Sequence, residues 1–182
     1  ITDILGQFPN ARFVHVIRDG RDAVLNAQRA RTWSAFGSVA HHATEWCSRI
    51  EVFRQQSDGC RGSYLEVRYE TLIRNTAEEL GRICAFIDLE FTPALLSYYK
   101  RAHDRLSDFQ AIDQPGHYVS RADRLSGIQW TTLAKAPDRS TIDQWRTALS
   151  AAEVQQYERV AGTTLHALGY DLSNWEEAGA HD

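Results

Sequence analysis

Between Arg12 and Asp22 the chain reads RFVHVIRDGRD, a stretch that concentrates residue types suited to holding an anion. Phe13, Val14, Val16 and Ile17 form a nearly continuous apolar run, the pattern of a buried parallel strand. Arg18 follows at its carboxyl end, Asp19-Gly20 is a turn signal, and a helix is predicted from about Arg21 to Arg31 with Asp19 as its N-cap. Ligands of open parallel sheets gather at the carboxyl edge of the strands. A helix N-terminus there adds free N–H groups and the positive end of a dipole. A guanidinium at that edge can grip two oxygens of a phosphate or sulfate at once. Arg21 in the first helical turn opposes the dipole and needs a partner, which Asp19 or Asp22 can supply. A plainer reading stands beside this one: Arg18 and Arg21 as members of surface ion pairs.

Other chemically capable residues are more scattered. His15 lies inside the strand and reads as a satisfied interior or sheet-edge histidine. His41-His42 fall on a helix with no carboxylate or cysteine at ligand spacing, and read as surface residues. His166 reads as an exposed helix residue. His103 and His117 fall in a long irregular stretch where a substrate could dock. Trp33, Trp46 and Trp145 read as core, Trp130 as a lining of a substrate cleft, and Tyr98-Tyr99 as packing against the body. Cys47, Cys60 and Cys84 have neither metal-type pairing nor a disulfide framework, and Cys84 falls on an apolar helix face. No metal site is expected.

The elements that must position these residues follow from periodicity. Val39, Ala43, Trp46, Ile50 and Phe53 recur at helical spacing within 38–56, and Ser57-Asp58-Gly59 ends that helix. Residues 63–69 read as a short strand ending at Tyr69. Thr76-Ala-Glu-Glu79 has the form of a capping box, opening a helix whose Leu80, Ile83, Cys84 and Ile87 make one stripe. Pro93 starts a short helix ending near Arg101. From Ala102 to Arg139 periodicity fades, as in functional lids, and substrate specificity is expected there. Residues 140–149 read as a short helix. Ser150-Ala-Ala-Glu153 is a second capping box, Val154, Tyr157, Ala161 and Leu168 share a face, and Gly169 is a C-terminal cap. Strands alternating with helices imply an α/β protein with a parallel sheet. Two strands are few for such a sheet, so further strands are expected upstream of Ile1.

The chain has 182 residues, 43% of them hydrophobic, and a formal net charge of −4. That balance argues against nucleic-acid binding, and no apolar run reaches membrane-spanning length. Cysteine usage fits a reducing, cytoplasmic setting. Of the 20 basic residues only Lys100 and Lys135 are lysines. No Met occurs, and the chain is read as one stretch, 1–182, of a single domain whose beginning lies upstream.

The segment FPNARFVHVIRDGRD, followed by AVLN, resembles the 3'-phosphate-binding segment of sulfotransferases that use 3'-phosphoadenosine 5'-phosphosulfate (PAPS). Arg18 matches that family's phosphate-binding arginine and Asp22 its acidic helix residue. VRYETLIRNTAEELGRICAFIDLEF is similar to the second signature, with Tyr69 matching the tyrosine that contacts adenine. DRSTIDQWRTALS is similar to the basic loop that closes over the 3'-phosphate, with Arg139 and Ser140 at the matching positions. These segments occur in the family's order. Two positions depart from it: Asn26 stands where the family has a phosphate-binding serine, and Asp143 where glycine is usual.

The resemblance implies a P-loop NTPase-like sulfotransferase fold, three layers with a parallel sheet flanked by helices. It implies transfer of a sulfuryl group from PAPS to a hydroxyl or amine of a small-molecule, carbohydrate or lipid acceptor, without a metal. Arg18, Asn26, Arg139 and Ser140 would hold the 3'-phosphate of PAPS or its product PAP, and Tyr69 the adenine. The 5'-phosphosulfate loop and the catalytic base of that family would lie upstream of Ile1. Two alternatives stay open: a non-catalytic PAP- or nucleotide-binding or interaction module of the same fold, and a P-loop small-molecule kinase.

Overall fold

The computed structural model describes residues 1–30, 37–102, 112–114, 117–118 and 135–173. Their elements, in chain order, are α1 (Thr2–Gln7), β1 (Phe13–Ile17), α2 (Gly20–Ala30), α3 (Val39–Ser57), β2 (Tyr64–Arg68), α4 (Tyr69–Arg74), α5 (Thr76–Phe86), β3 (Ile112–Gln114), β4 (His117–Tyr118), α6 (Trp145–Ala148) and α7 (Ala151–Ala167). Short 3-10 turns occupy Arg61–Ser63, Pro93–Ser97 and Arg139–Thr141. The chain forms two compact units, one made of residues 1–70 with the stretch from Ser140 onward, the other of Thr71–Arg139.

In the first unit β1 and β2 run parallel, in register from Phe13 opposite Tyr64 to Ile17 opposite Arg68. A parallel pair needs a long crossover, and α2 and α3 lie within it. Ser38 caps α3 by accepting the His41 N–H. α3 packs on α7 through a core that includes Ile17, Val24, Ala43, Ile50, Tyr157, Ala161 and Leu165. Burying each aliphatic side chain of this kind contributes about 1.5–3 kcal/mol. α7 opens with the expected capping box, Ser150 and Glu153 bonding reciprocally. It closes at Gly169, φ +74°, with Tyr170 N donating to Leu165 O and Gly169 N to His166 O. That is the Schellman pattern, and it needs a left-handed residue where glycine is least strained.

Several local expectations give way to context. β2 ends at Arg68, and Tyr69 opens α4 instead of closing the strand. Residues 140–149 do not form one helix: a 3-10 turn is followed by Asp143 in the left-handed region, φ +60°, before the single turn of α6. The backbone conformation at Asp143 is the one glycine adopts most easily. His42 is buried rather than superficial, because it shares the inner side of α3 with Ala43 and Ile50, while His41 is exposed. His166 is exposed and Trp145 buried, as expected.

In the second unit α5 starts where expected, but its first turn is capped differently. Asn75 takes the N-cap position without a side-chain bond, Thr76 Oγ1 donates back to Ile73 O, and Glu79 pairs with Arg82. Thr76 already has helical geometry, so its hydroxyl turns to the preceding turn instead of capping its own helix. The helix ends with Asp88 at φ +57° and Leu89 N bonded to Cys84 O. Cys84 is buried on its apolar stripe. The stretch 102–139, read as irregular, contains the short antiparallel pair β3 and β4. Tyr98 is 44% exposed, against expectation, and meets Tyr99 edge-on. Trp33, His103 and Trp130 lie outside the described residues. No helix among the described residues is long and apolar enough to cross a membrane.

Candidate functional site

The register of the parallel pair builds the site. Because Ile17 lies opposite Arg68, the residues that follow, Arg18 and Tyr69, emerge side by side at the carboxyl edge of the sheet. The Arg18 guanidinium carbon lies 4.9 Å from the centre of the Tyr69 ring, within cation–π range. Thr141 joins them. Its carbonyl oxygen accepts from Arg18 Nη2, and its Oγ1 lies 3.1 Å from the Tyr69 hydroxyl. Arg18 Nε is buried with no hydrogen-bond partner in the protein.

The turn beneath Arg18 is held from several sides. Trp46 Nε1 donates to Arg18 O at 3.1 Å, and Asp19 N donates to Glu70 Oε1 at 2.8 Å. Glu70 is itself buried and accepts from the Tyr170 hydroxyl at 3.0 Å. Asp19 is the N-cap foreseen: its Oδ1 accepts Arg21 N, and its carbonyl accepts Ala23 N. Gly20 is required by packing, since a Cβ there would lie 1.9 Å from the Tyr157 hydroxyl and 2.7 Å from Trp46 Cδ2.

The two arginines of the motif have separate roles. Arg21, 1% exposed, stacks 3.7 Å above Trp145, bonds both oxygens of Asp19, and reaches Glu158 Oε1 and Asp171 O. Burial alone would lower its pKa, and the two carboxylates more than reverse that. It is a structural residue, and its partners are Asp19 and Glu158, not Asp22. Asp22 is equally buried. Its Oδ1 accepts Trp145 N at 2.8 Å, and its Oδ2, without a hydrogen-bond partner, is 3.9 Å from Arg18 Nη2. Burial raises the Asp22 carboxyl above its ordinary value, against the lowering effect of the Trp145 N–H and Arg18.

Of the residues singled out from sequence, the structure thus brings Arg18 and Tyr69 together. Asn26 is exposed on α2, one turn beyond Asp22. Ser140 is exposed beside Thr141, its carbonyl accepting the Gln144 amide. Arg139 belongs to the second unit, where its guanidinium donates to Arg74 O at 2.8 Å. Arg139 also lines a cleft of about 590 Å³ there, with Arg74, Asn75, Glu78, Leu96 and Pro137. Sequence reasoning missed Thr141 and Glu70. Glu70 follows Tyr69 directly and had a local signal, an acid at a strand end; Thr141 had none.

A second polar cluster sits on the sheet away from this edge. His15 Nδ1 is 2.5 Å from the Tyr64 hydroxyl, and Arg54 grips Glu66 with two bonds of 2.8 and 2.7 Å. His15 is therefore a satisfied, half-buried histidine. Burial lowers its pKa, Glu66 opposes that, and Arg54 adds to it. Among the described residues no group of three or more His, Cys, Asp or Glu is placed to hold a metal.

A family model described as the sulfotransferase family matches residues 1–93, just over half of the chain and including the whole Arg18 turn and Tyr69. The chain belongs to the sulfotransferase family. It is 24% identical over 173 residues to the protein-tyrosine sulfotransferase of Drosophila melanogaster, covering 92% of this chain and 32% of that protein. It is 26% identical over 145 residues to carbohydrate sulfotransferase 2 of Homo sapiens, covering 80% and 24%. The sulfotransferase domain of the Synechococcus PCC 7002 olefin synthase superposes with a TM-score of 0.58 at 23% identity, covering 89% of this chain and 50% of that one. That likeness establishes the α/β sulfotransferase fold, of which β1 and β2 form a parallel part. The chain spans about a third or less of the length of these two curated relatives, and 59% of a putative protein-tyrosine sulfotransferase of Caenorhabditis elegans to which it is 27% identical.

Proposed function

We propose that this chain carries the 3'-phosphoadenosine end of a PAPS site in a sulfotransferase. The observation that supports this most is the pairing of Arg18 with Tyr69 at the carboxyl edge of the parallel strands, with Arg18 Nε lacking a protein partner. A guanidinium offers a rigid fork to a phosphate, and a neighbouring phenol ring gives adenine an aromatic face or a hydroxyl to bond. The residues of the first unit suit that end of the donor in this reading: Arg18 for the 3'-phosphate, Tyr69 for the base, with Asn26 and Ser140 as further phosphate ligands. Asn26 would donate from its amide where a hydroxyl is usual.

The donor supplies an activated sulfuryl group, and the chain's own contribution here is to bind and orient it. Positioning and charge neutralisation dominate the related phosphoryl transfers. The acceptor in this reading is an oxygen nucleophile, in line with the tyrosine and carbohydrate acceptors in the relatives' names. The test is thermal stabilisation of the full-length protein by 3',5'-ADP and by 5'-AMP at equal concentration. A ligand present at about 100 times its Kd stabilises the folded state by about 2.7 kcal/mol. A clear shift with 3',5'-ADP and a much smaller one with 5'-AMP is expected. Equal shifts, or none with 3',5'-ADP, overturn the reading.

A further inference from the structure

Resting on the donor-site reading, we infer that Thr141 is a positioning residue that couples the phosphate-binding arginine to the base-binding tyrosine. It reaches both at once through different atoms: the carbonyl oxygen takes Arg18 Nη2, and the hydroxyl engages the Tyr69 hydroxyl. Arg18 and Tyr69 also touch each other face-on. The three groups therefore form a closed ring of contacts in which neither Arg18 nor Tyr69 can change rotamer without breaking two of them.

The segment carrying Thr141 is anchored on its other side as well. Asp143 turns the chain through its left-handed conformation, and Trp145 N then bonds Asp22 on α2, the helix that Arg18 leads into. Trp145 is in turn packed under Arg21. Thr141 thus hangs between fixed points, and its position is set by the buried Asp22–Trp145–Arg21 layer and not by the nucleotide.

The consequence concerns affinity. A guanidinium and a phenol each lose rotamer freedom on ligand binding, and that loss weakens association unless it is met beforehand. With Thr141 in place the guanidinium is oriented before the ligand arrives, with Nη2 held by the carbonyl and Nε left for an anion. The Tyr69 hydroxyl is held by Thr141 Oγ1, which fixes where the ring lies, and the Arg18 guanidinium over it sets the ring plane offered to a base. The hydroxyl of Thr141 is the part a substitution can remove without altering the carbonyl contact to Arg18.

The test uses the full-length protein and 3',5'-ADP as the probe, with Thr141→Val, Thr141→Ala, Thr141→Ser, Tyr69→Phe and the Val/Phe double variant. Affinity is read by calorimetry, and the urea midpoint without nucleotide is read beside it. Removing the hydroxyl in Thr141→Val is expected to weaken binding by about 3- to 10-fold, the scale of one hydrogen bond. Tyr69→Phe is expected to do the same, the double variant no more than either single, and Thr141→Ser to match wild type. Such non-additivity is the signature of a coupled pair. Unchanged affinity in both Thr141→Val and Thr141→Ala, or a double-variant loss equal to the product of the singles, overturns the inference. So does a drop in urea midpoint with no change in affinity, which would mark a purely structural role. Failure of the wild-type protein to bind 3',5'-ADP is a different result: it overturns the donor reading, and the coupling with it.

Discussion

Replacing Arg21 by Met, beside the same change at Arg18, separates the structural arginine of the RDGRD turn from the ligand-binding one. Arg21→Met keeps the length and most of the apolar stem but removes the donors that Asp19 and Glu158 use. Those carboxylates have side-chain exposures of only 4% and 10%. Removing one partner of a buried ion pair costs about 3–5 kcal/mol. The lower end applies here, since Asp19 keeps the Arg21 N–H and Glu158 keeps the Ser173 N–H and hydroxyl. A loss of about 3 kcal/mol lowers Tm by about 6–12 °C in a chain of this size. Arg18 is 18% exposed, donates one hydrogen bond, to Thr141 O, and lies 3.9 Å from the buried Asp22 carboxylate, a distant pair in which Asp22 keeps the Trp145 N–H. Arg18→Met should therefore cost only about 1–2 kcal/mol of stability. Binding should reverse the order: Arg18→Met loses at least about 30-fold in 3',5'-ADP affinity, the scale of a lost charged contact, while folded Arg21→Met, whose stem stays over Trp145, loses far less. Scanning calorimetry and titration calorimetry on the two variants decide it. An Arg21→Met Tm within about 2 °C of wild type, or a larger stability loss for Arg18→Met than for Arg21→Met, would refute the division of labour.

Two further outcomes follow from packing and titration. Gly20→Ala places a Cβ against the fully buried Tyr157 hydroxyl and Trp46, and overpacking of that kind costs about 1–3 kcal/mol. Adding Tyr157→Phe removes the 1.9 Å contact but leaves Tyr157 Cζ at 2.8 Å and Trp46 at 2.7 Å, so urea melts should show partial rescue only; a neutral Gly20→Ala would contradict the geometry. His15 and His42 both have pKa values lowered, chiefly by burial, from the ordinary 6.5, with Glu66 and Arg54 around His15 and His41 and Glu45 around His42. Below that pH the unfolded chain takes up protons before the folded one does. Their contribution is thus complete above about pH 6.5 and lost as pH falls through the lower folded values. The urea midpoint should drop from about pH 7.5 to about pH 5.5 and do so less in the His15→Gln/His42→Gln variant; a flat wild-type profile would count against it.

Much of the scaffold was legible in the chain because its causes are local. The apolar run 13–17 makes a buried strand, and a strand of that kind leaves the next residue, Arg18, at the sheet edge. The Ser150–Glu153 capping box and the Gly169 terminus are set by residues within a turn of each other. Where local signals misled, a competing contact was stronger. Thr76 had a capping pattern, but the turn before it claimed its hydroxyl. His42 looked superficial until α3 was packed on α7.

The division of labour in the site was not legible in the same way. Sequence determined that two arginines, two aspartates and a glycine surround a strand-to-helix turn, and that a second strand leads up to Tyr69. Only the tertiary structure decided which arginine is spoken for. Arg21 meets Glu158 from 137 positions away, and Arg18 meets Thr141 from 123. The parallel register sets Tyr69 beside Arg18, and a left-handed Asp143 carries Trp145 to Asp22. Local periodicity is written in neighbouring residues, because helices and strands form from short-range bonds. The partner of a buried charge is chosen by whichever distant carboxylate or carbonyl the packed core brings within reach, since an unpaired charge there is too costly to leave.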